Sequence, residues 1–127
     1  MPFALRRHPR SPVKAPLEFT GDDPRQVIFG FVRDLSVGGV LVETEFPVPP
    51  GSRVTVHMML PGVPDETIVV GHVRWWRTRA MGVGFVGLDP HDARTIAGVV
   101  AQVADRASGA IGVDETIATT PAARRSA

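Results

Sequence analysis

Six short runs of alternating or β-branched apolar residues, each closed by a turn rich in Gly, Pro or Asp, constrain this chain more than any other feature. Alternation at period two presents every second side chain to one face, the pattern of a half-buried strand. The first run, Val13–Phe19, sets Val13, Ala15, Leu17 and Phe19 on one face, with Pro16 pointing to a sheet edge. Val27–Arg33 is apolar on both faces for part of its length, and Val40–Glu45 follows across the Asp34–Gly39 turn. Arg53–Leu60 alternates through Val54, Val56, Met58 and Leu60. Glu66–Trp76 reads with Val69, Gly71, Val73 and Trp75 on a shared face, and Met81–Val86 carries two glycines that signal close packing or sharp curvature. Strands this short and evenly spaced favour a small barrel, because closure removes edges that a small sheet cannot protect.

The period changes at Asp89. This residue suits a helix N-cap, Pro90 the first helical position, and Asp92 the positive end of the helix dipole. Ala93, Ile96, Ala97, Val100, Val103 and Ala104 recur at helical spacing, which predicts one amphipathic helix of about four turns. The fold class is therefore mainly β, a six-stranded antiparallel barrel with one C-terminal helix. With 127 residues the chain fits a single domain. That domain is expected over 6–106, between a disordered leader at 1–5 and a disordered tail at 107–127, where Gly, Ala, Thr and Pro lose all periodicity.

Composition removes several classes of chemistry. With no cysteine there is neither a disulfide, a thiolate zinc site nor a cysteine nucleophile. His8, His57, His72 and His91 are scattered without metal-ligand spacing, so no metal is expected. Ser36 lies outside any G-x-S-x-G elbow, and the chain reads as a non-enzyme. No apolar run reaches the roughly 18 residues of a membrane span, and the N-terminus lacks a signal-peptide core, so a cytoplasmic location is expected. The net charge of +1 conceals a basic segment at residues 1–33, holding Arg6, Arg7, Arg10, Lys14, Arg25 and Arg33 against Glu18, Asp22 and Asp23. A compact cluster of this kind suits a small anion better than a long polyanion.

Two segments then stand out together: the arginine cluster Arg6-Arg7-His8-Pro9-Arg10, and the turn Asp34-Leu35-Ser36-Val37-Gly38-Gly39. Asp34 and Ser36 can fold their oxygens onto nearby backbone N–H groups, while Gly38 and Gly39 can supply positive φ or admit a close approach to the backbone. The pair resembles the RxxxR and (D/N)xSxxG elements of the PilZ domain, the bacterial receptor module for cyclic di-GMP. Gly71-His72-Val73-Arg74-Trp75 and Met81-Gly82-Val83-Gly84-Phe85 are similar to later strands of that family, and the likeness covers about residues 5–106. In texture the chain is close to single-domain PilZ proteins of myxobacteria.

The resemblance implies a cyclic di-GMP site, and arginine chemistry accounts for it: a planar fork of donors matches both a phosphate and the O6/N7 edge of guanine. Arg6 and Arg10 would clamp the ligand with Arg7 as a third cation and His8 as a further phosphate contact. Asp34 would accept from a guanine N–H or fix an arginine, Ser36 would add a hydroxyl, and Gly38 and Gly39 would complete the turn, Gly39 admitting the ligand to the backbone. Trp75 or Trp76 would offer a stacking face, strand phase leaving the choice open. No cofactor beyond this ligand is implied. Ligand binding would order the arginine arm and change a surface read by a protein partner, in signalling of the kind that governs motility and biofilm. The chain would act as a monomer or weak homodimer, with no DNA and no membrane as partner. Two alternatives stand beside this reading: a PilZ-fold adaptor, of the type serving type IV pili, that binds no nucleotide, and a small basic barrel binding nucleic acid through Arg74, Trp76, Arg77 and Arg79.

Overall fold

The computed structural model describes residues 11–111, with side chains through residue 105. The leader, the arginine cluster and the tail from residue 112 lie outside the described residues.

Each alternating run forms its strand: β1 (Ser11–Thr20), β2 (Val27–Ser36), β3 (Gly39–Glu43), β4 (Arg53–Met58), β5 (Thr67–Arg77) and β6 (Ala80–Phe85). They close into a barrel in the order β1-β2-β3-β6-β5-β4, every neighbouring pair antiparallel. The inward residues fill the interior with β-branched and aliphatic side chains, and Phe19, Leu35, Val42, Val56, Met58 and Met81 are wholly buried. Pro16 is not on a free edge strand, since β1 is paired on both sides. The β4 ladder ends at Leu17, and the Pro16 carbonyl accepts from the Met59 N–H just past β4 (3.1 Å), so Pro16 closes that ladder while Pro12 lies beyond it. A missing N–H at the end of a ladder forfeits at most one terminal bond. The third strand stops at Glu43, short of the expected Glu45. Buried Thr44 turns the chain by donating from Oγ1 to the Phe29 carbonyl (2.9 Å) and accepting from the Phe46 N–H (3.2 Å).

The helix α1 (Pro90–Ile111) begins as expected: the Asp89 carboxylate accepts from the N–H groups of His91 (2.7 Å) and Asp92 (3.4 Å). It runs on past Ala107 to Ile111. Its buried stripe is Ile96, Val99 and Val100 with Val103 partly covered, whereas Ala97 and Ala104 face outward. The seam is thus rotated from the expected one toward Val99, because the larger β-branched residues gain more by burial than alanine does. Buried Ser11 anchors the helix to β1, its Oγ donating to the Val100 carbonyl at 3.2 Å.

Candidate functional site

The β2–β3 connection is tighter than the Asp34–Gly39 segment suggests. Asp34, Leu35 and Ser36 stay in β2, Ser36 pairs with Gly39, and Val37 and Gly38 alone form the turn. Ser36, 6 % exposed, accepts from the Gly38 N–H at 3.1 Å and donates to the Gly39 carbonyl at 3.5 Å. Its hydroxyl closes the loop from within, one of the two uses the sequence allows. The Gly38 carbonyl accepts from the Phe85 N–H at 3.0 Å, which ties the turn to β6.

Gly39 serves a close approach, and the group that approaches is β6. A Cβ here would collide with the Val83 carbonyl oxygen, so any side chain would push two hydrogen-bonded strands apart. Its φ is not positive; the positive-φ glycines among the described residues are Gly51, Gly62 and Gly87.

Asp34 owes its position to an irregularity. Between Val32 and Asp34 the register of β2 shifts against β3, so that Arg33 is exposed and Asp34 partly exposed between buried Val32 and Leu35. Asp34 pairs across the sheet with Pro12 and Leu41, Leu41 with Gly82, and Gly82 with Trp75. A single row thus links Asp34 on β2 to Trp75 on β5.

The expectation that Trp75 shares the inner face of Val69, Gly71 and Val73 is overturned by a second bulge, between Val73 and Trp75. An extra residue in one strand reverses the inside–outside alternation beyond it. Trp75 therefore lies outside the barrel, its indole resting on Gly82, where any Cβ would strike the ring. Arg74 lies beside it over Gly84, the residue paired with Gly39. The Arg77 guanidinium sits over the Trp75 ring, 4.9 Å from its centroid. Trp76, in register with Met81, is 48 % exposed.

The structure thus brings Asp34, Ser36, Gly38, Gly39 and Trp75 onto one stretch of the outer β2-β3-β6-β5 surface. Arg6, Arg7 and Arg10 lie outside the described residues. Sequence reasoning missed Arg74 and Arg77 as neighbours of this stretch. The available signal was Gly82-Val83-Gly84: two absent side chains on one face of β6 leave floor space for two large ones from the next strand. Among the described residues no cluster of His, Asp or Glu could hold a metal, and no helix is long and apolar enough to cross a membrane.

No curated protein matches the chain. Among solved structures, it is similar to the PilZ domain, with c-di-GMP, of YcgR from Escherichia coli: TM-score 0.71, 14% identity, 86% of this chain and 98% of that one. It is also similar to the PilZ domain of CeSA from a cellulose-synthesizing bacterium, with TM-score 0.61, 20% identity, 76% of this chain and 98% of that one. The inhibitor of motility MotI/DgrA of Bacillus subtilis aligns with TM-score 0.64 and 14% identity over 82% of this chain but 52% of that one, about half its length. At such identities these likenesses speak to the barrel and its helix alone. The PilZ domain family model, however, matches residues 4–102, and on that match the chain belongs to the PilZ domain family.

Proposed function

We propose that this PilZ domain is a receptor for cyclic di-GMP, which it holds between the Arg6–Arg10 segment and the β2–β3 end of the barrel. The observation that carries the reading is a register: Ser11 pairs with Leu35 and Pro12 with Asp34. The described chain therefore enters the barrel at Ser11, level with Asp34 and Ser36, and the arginine segment immediately precedes Ser11 in sequence. Family membership and the c-di-GMP named with the YcgR domain support the same ligand.

In this reading Arg6 and Arg10 clamp phosphate and guanine edges, and Arg7 adds a third cation. Asp34 supplies the acceptor for a guanine N–H or an arginine. Ser36, Gly38 and Gly39 hold the shape of the turn, and Trp75 with Arg77 forms a platform at the far end of the Asp34 row. Hydrogen bonds to charged groups contribute roughly 1.5–3 kcal/mol each. Several of them, less the costs of association and of ordering the arm, leave a dissociation constant of about micromolar order. Binding changes the arm and with it the surface offered to a protein partner, a regulatory rather than catalytic output.

Titration calorimetry with cyclic di-GMP, GTP and a short single-stranded oligonucleotide tests the proposal. Binding of cyclic di-GMP alone supports it. Silence toward all three favours a nucleotide-free adaptor, and binding of the oligonucleotide favours the nucleic-acid reading.

A further inference from the structure

Between α1 and the β2–β3 turn runs an apolar groove that the ligand site does not use. Ala97, Ala101 and Ala104 recur at helical spacing as one exposed stripe of α1, and half-buried Val37 from the turn lines the same hollow of about 470 Å³. Ser11, where the described chain begins, also lines it, and exposed Asp105 stands beyond Ala104. A contiguous apolar surface rimmed by polar residues marks a place where something packs.

The chain that leads into Ser11 has the chemistry to fill it. Met1-Pro2-Phe3-Ala4-Leu5 is an apolar run, with Leu5 six residues and Phe3 eight residues before Ser11. Extended chain covers about 20 Å and about 26 Å over those lengths. The alanine stripe spans only about 10 Å of helix, so both side chains reach it with slack. Charge agrees as well, because Leu5 runs into Arg6 and Arg7, opposite in sign to Asp105. The C-terminal tail fits worse. It leaves α1 at Ile111, about 10 Å past Ala104, and carries Asp114 and Glu115 near its start, which Asp105 repels.

We propose that residues 1–5 dock in this groove, Phe3 and Leu5 packing over the alanine stripe and against Val37. The leader is then a strap rather than the disordered segment its composition suggests. Docking holds Arg6–Arg10 from both sides, as a five-residue loop at the β2–β3 end of the barrel. On the cyclic di-GMP reading, that loop meets the ligand with part of its freedom already lost, which strengthens binding.

The test needs no ligand, so its failure is distinguishable from a failure of the cyclic di-GMP reading. The chain has no cysteine, so thiol pairs introduced into the full chain report proximity without background. In dilute, mildly oxidising solution, Leu5→Cys with Ala101→Cys should close an internal disulfide at least about tenfold faster than Leu5→Cys with Phe31→Cys, because docking raises the local concentration of one thiol at the other. Phe31 is the comparison because it is exposed and lies on β2 only four residues from Leu35, the partner of Ser11, within reach of the leader. Adding Phe3→Ser to the first pair should abolish the advantage. In the unsubstituted chain, nuclear Overhauser contacts between the Phe3 ring and the Ala101 methyl are expected. Equal rates for the two pairs, an undiminished rate with Phe3→Ser, a disulfide-linked dimer in place of the internal bridge, or no Phe3–Ala101 contact overturns the proposal.

Discussion

The two ends of β2 share a strand and differ in almost everything else. At the Ser36 end the backbone is clamped: Leu35 is wholly buried, the Ser36 hydroxyl is spent inside the turn, and Gly39 lies against β6 with no room for a methyl group. At the Val27 end the outward side chains are large, apolar and touched by nothing on their outer side, with Phe29 and Phe31 more than half exposed. One end is rigid and exposes a single carboxylate beside a bulge. The other is an open surface whose residues the fold does not need. Rigidity with polar display suits recognition of a small charged ligand, whereas uncovered aromatic area suits a protein surface.

Substitutions should separate the ends, and the largest effect is expected at the clamped one. Gly39→Val sets a branched side chain against the Val83 carbonyl, where backbone rather than a flexible side chain must yield. A loss of about 3 kcal/mol or more in urea unfolding is expected. Asp34→Ala leaves the clamp intact but removes the displayed carboxylate. It should weaken cyclic di-GMP about a hundredfold, about 2–3 kcal/mol by calorimetry, with an unchanged unfolding midpoint. Ser36→Ala deletes a buried hydroxyl that serves two turn atoms, for about 1–2 kcal/mol of stability. Smallest of all, Phe31→Ser in dilute solution should move stability by less than about 0.5 kcal/mol, because its side chain supports nothing in the barrel. An effect as large as that of Gly39→Val would erase the distinction between the ends.

Much of this was legible in the sequence, and the exceptions share a cause. The apolar runs specified all six strands, and alternation specified the inward faces of β1 and β4, whose buried residues recur at every second position. It failed at Trp75, where the bulge after Val73 inverts the phase, and a bulge leaves no mark in an apolar pattern when both flanking residues are large. The helix was visible in its cap and period, but the stripe chosen on small residues was rotated from the one that Val99 sets. In the turn, the side chains of Asp34-Leu35-Ser36-Val37-Gly38-Gly39 announced a connection. They did not announce that the Gly39 gap belongs to β6, since a close approach can be read only with the approaching strand in place. The apolar outer face of Val27–Phe31 was apparent as a run apolar on both sides, but only the closed barrel shows that nothing covers it.

Titration calorimetry of the wild-type chain with cyclic di-GMP, set beside Arg10→Ala and Asp34→Ala, reaches the central claim most directly. Saturable binding at about micromolar affinity, weakened about a hundredfold in either variant, is the predicted result. A wild-type chain without heat at high ligand excess, or variants that bind as the parent does, would contradict the joining of the arginine segment and the β2 carboxylate into one site.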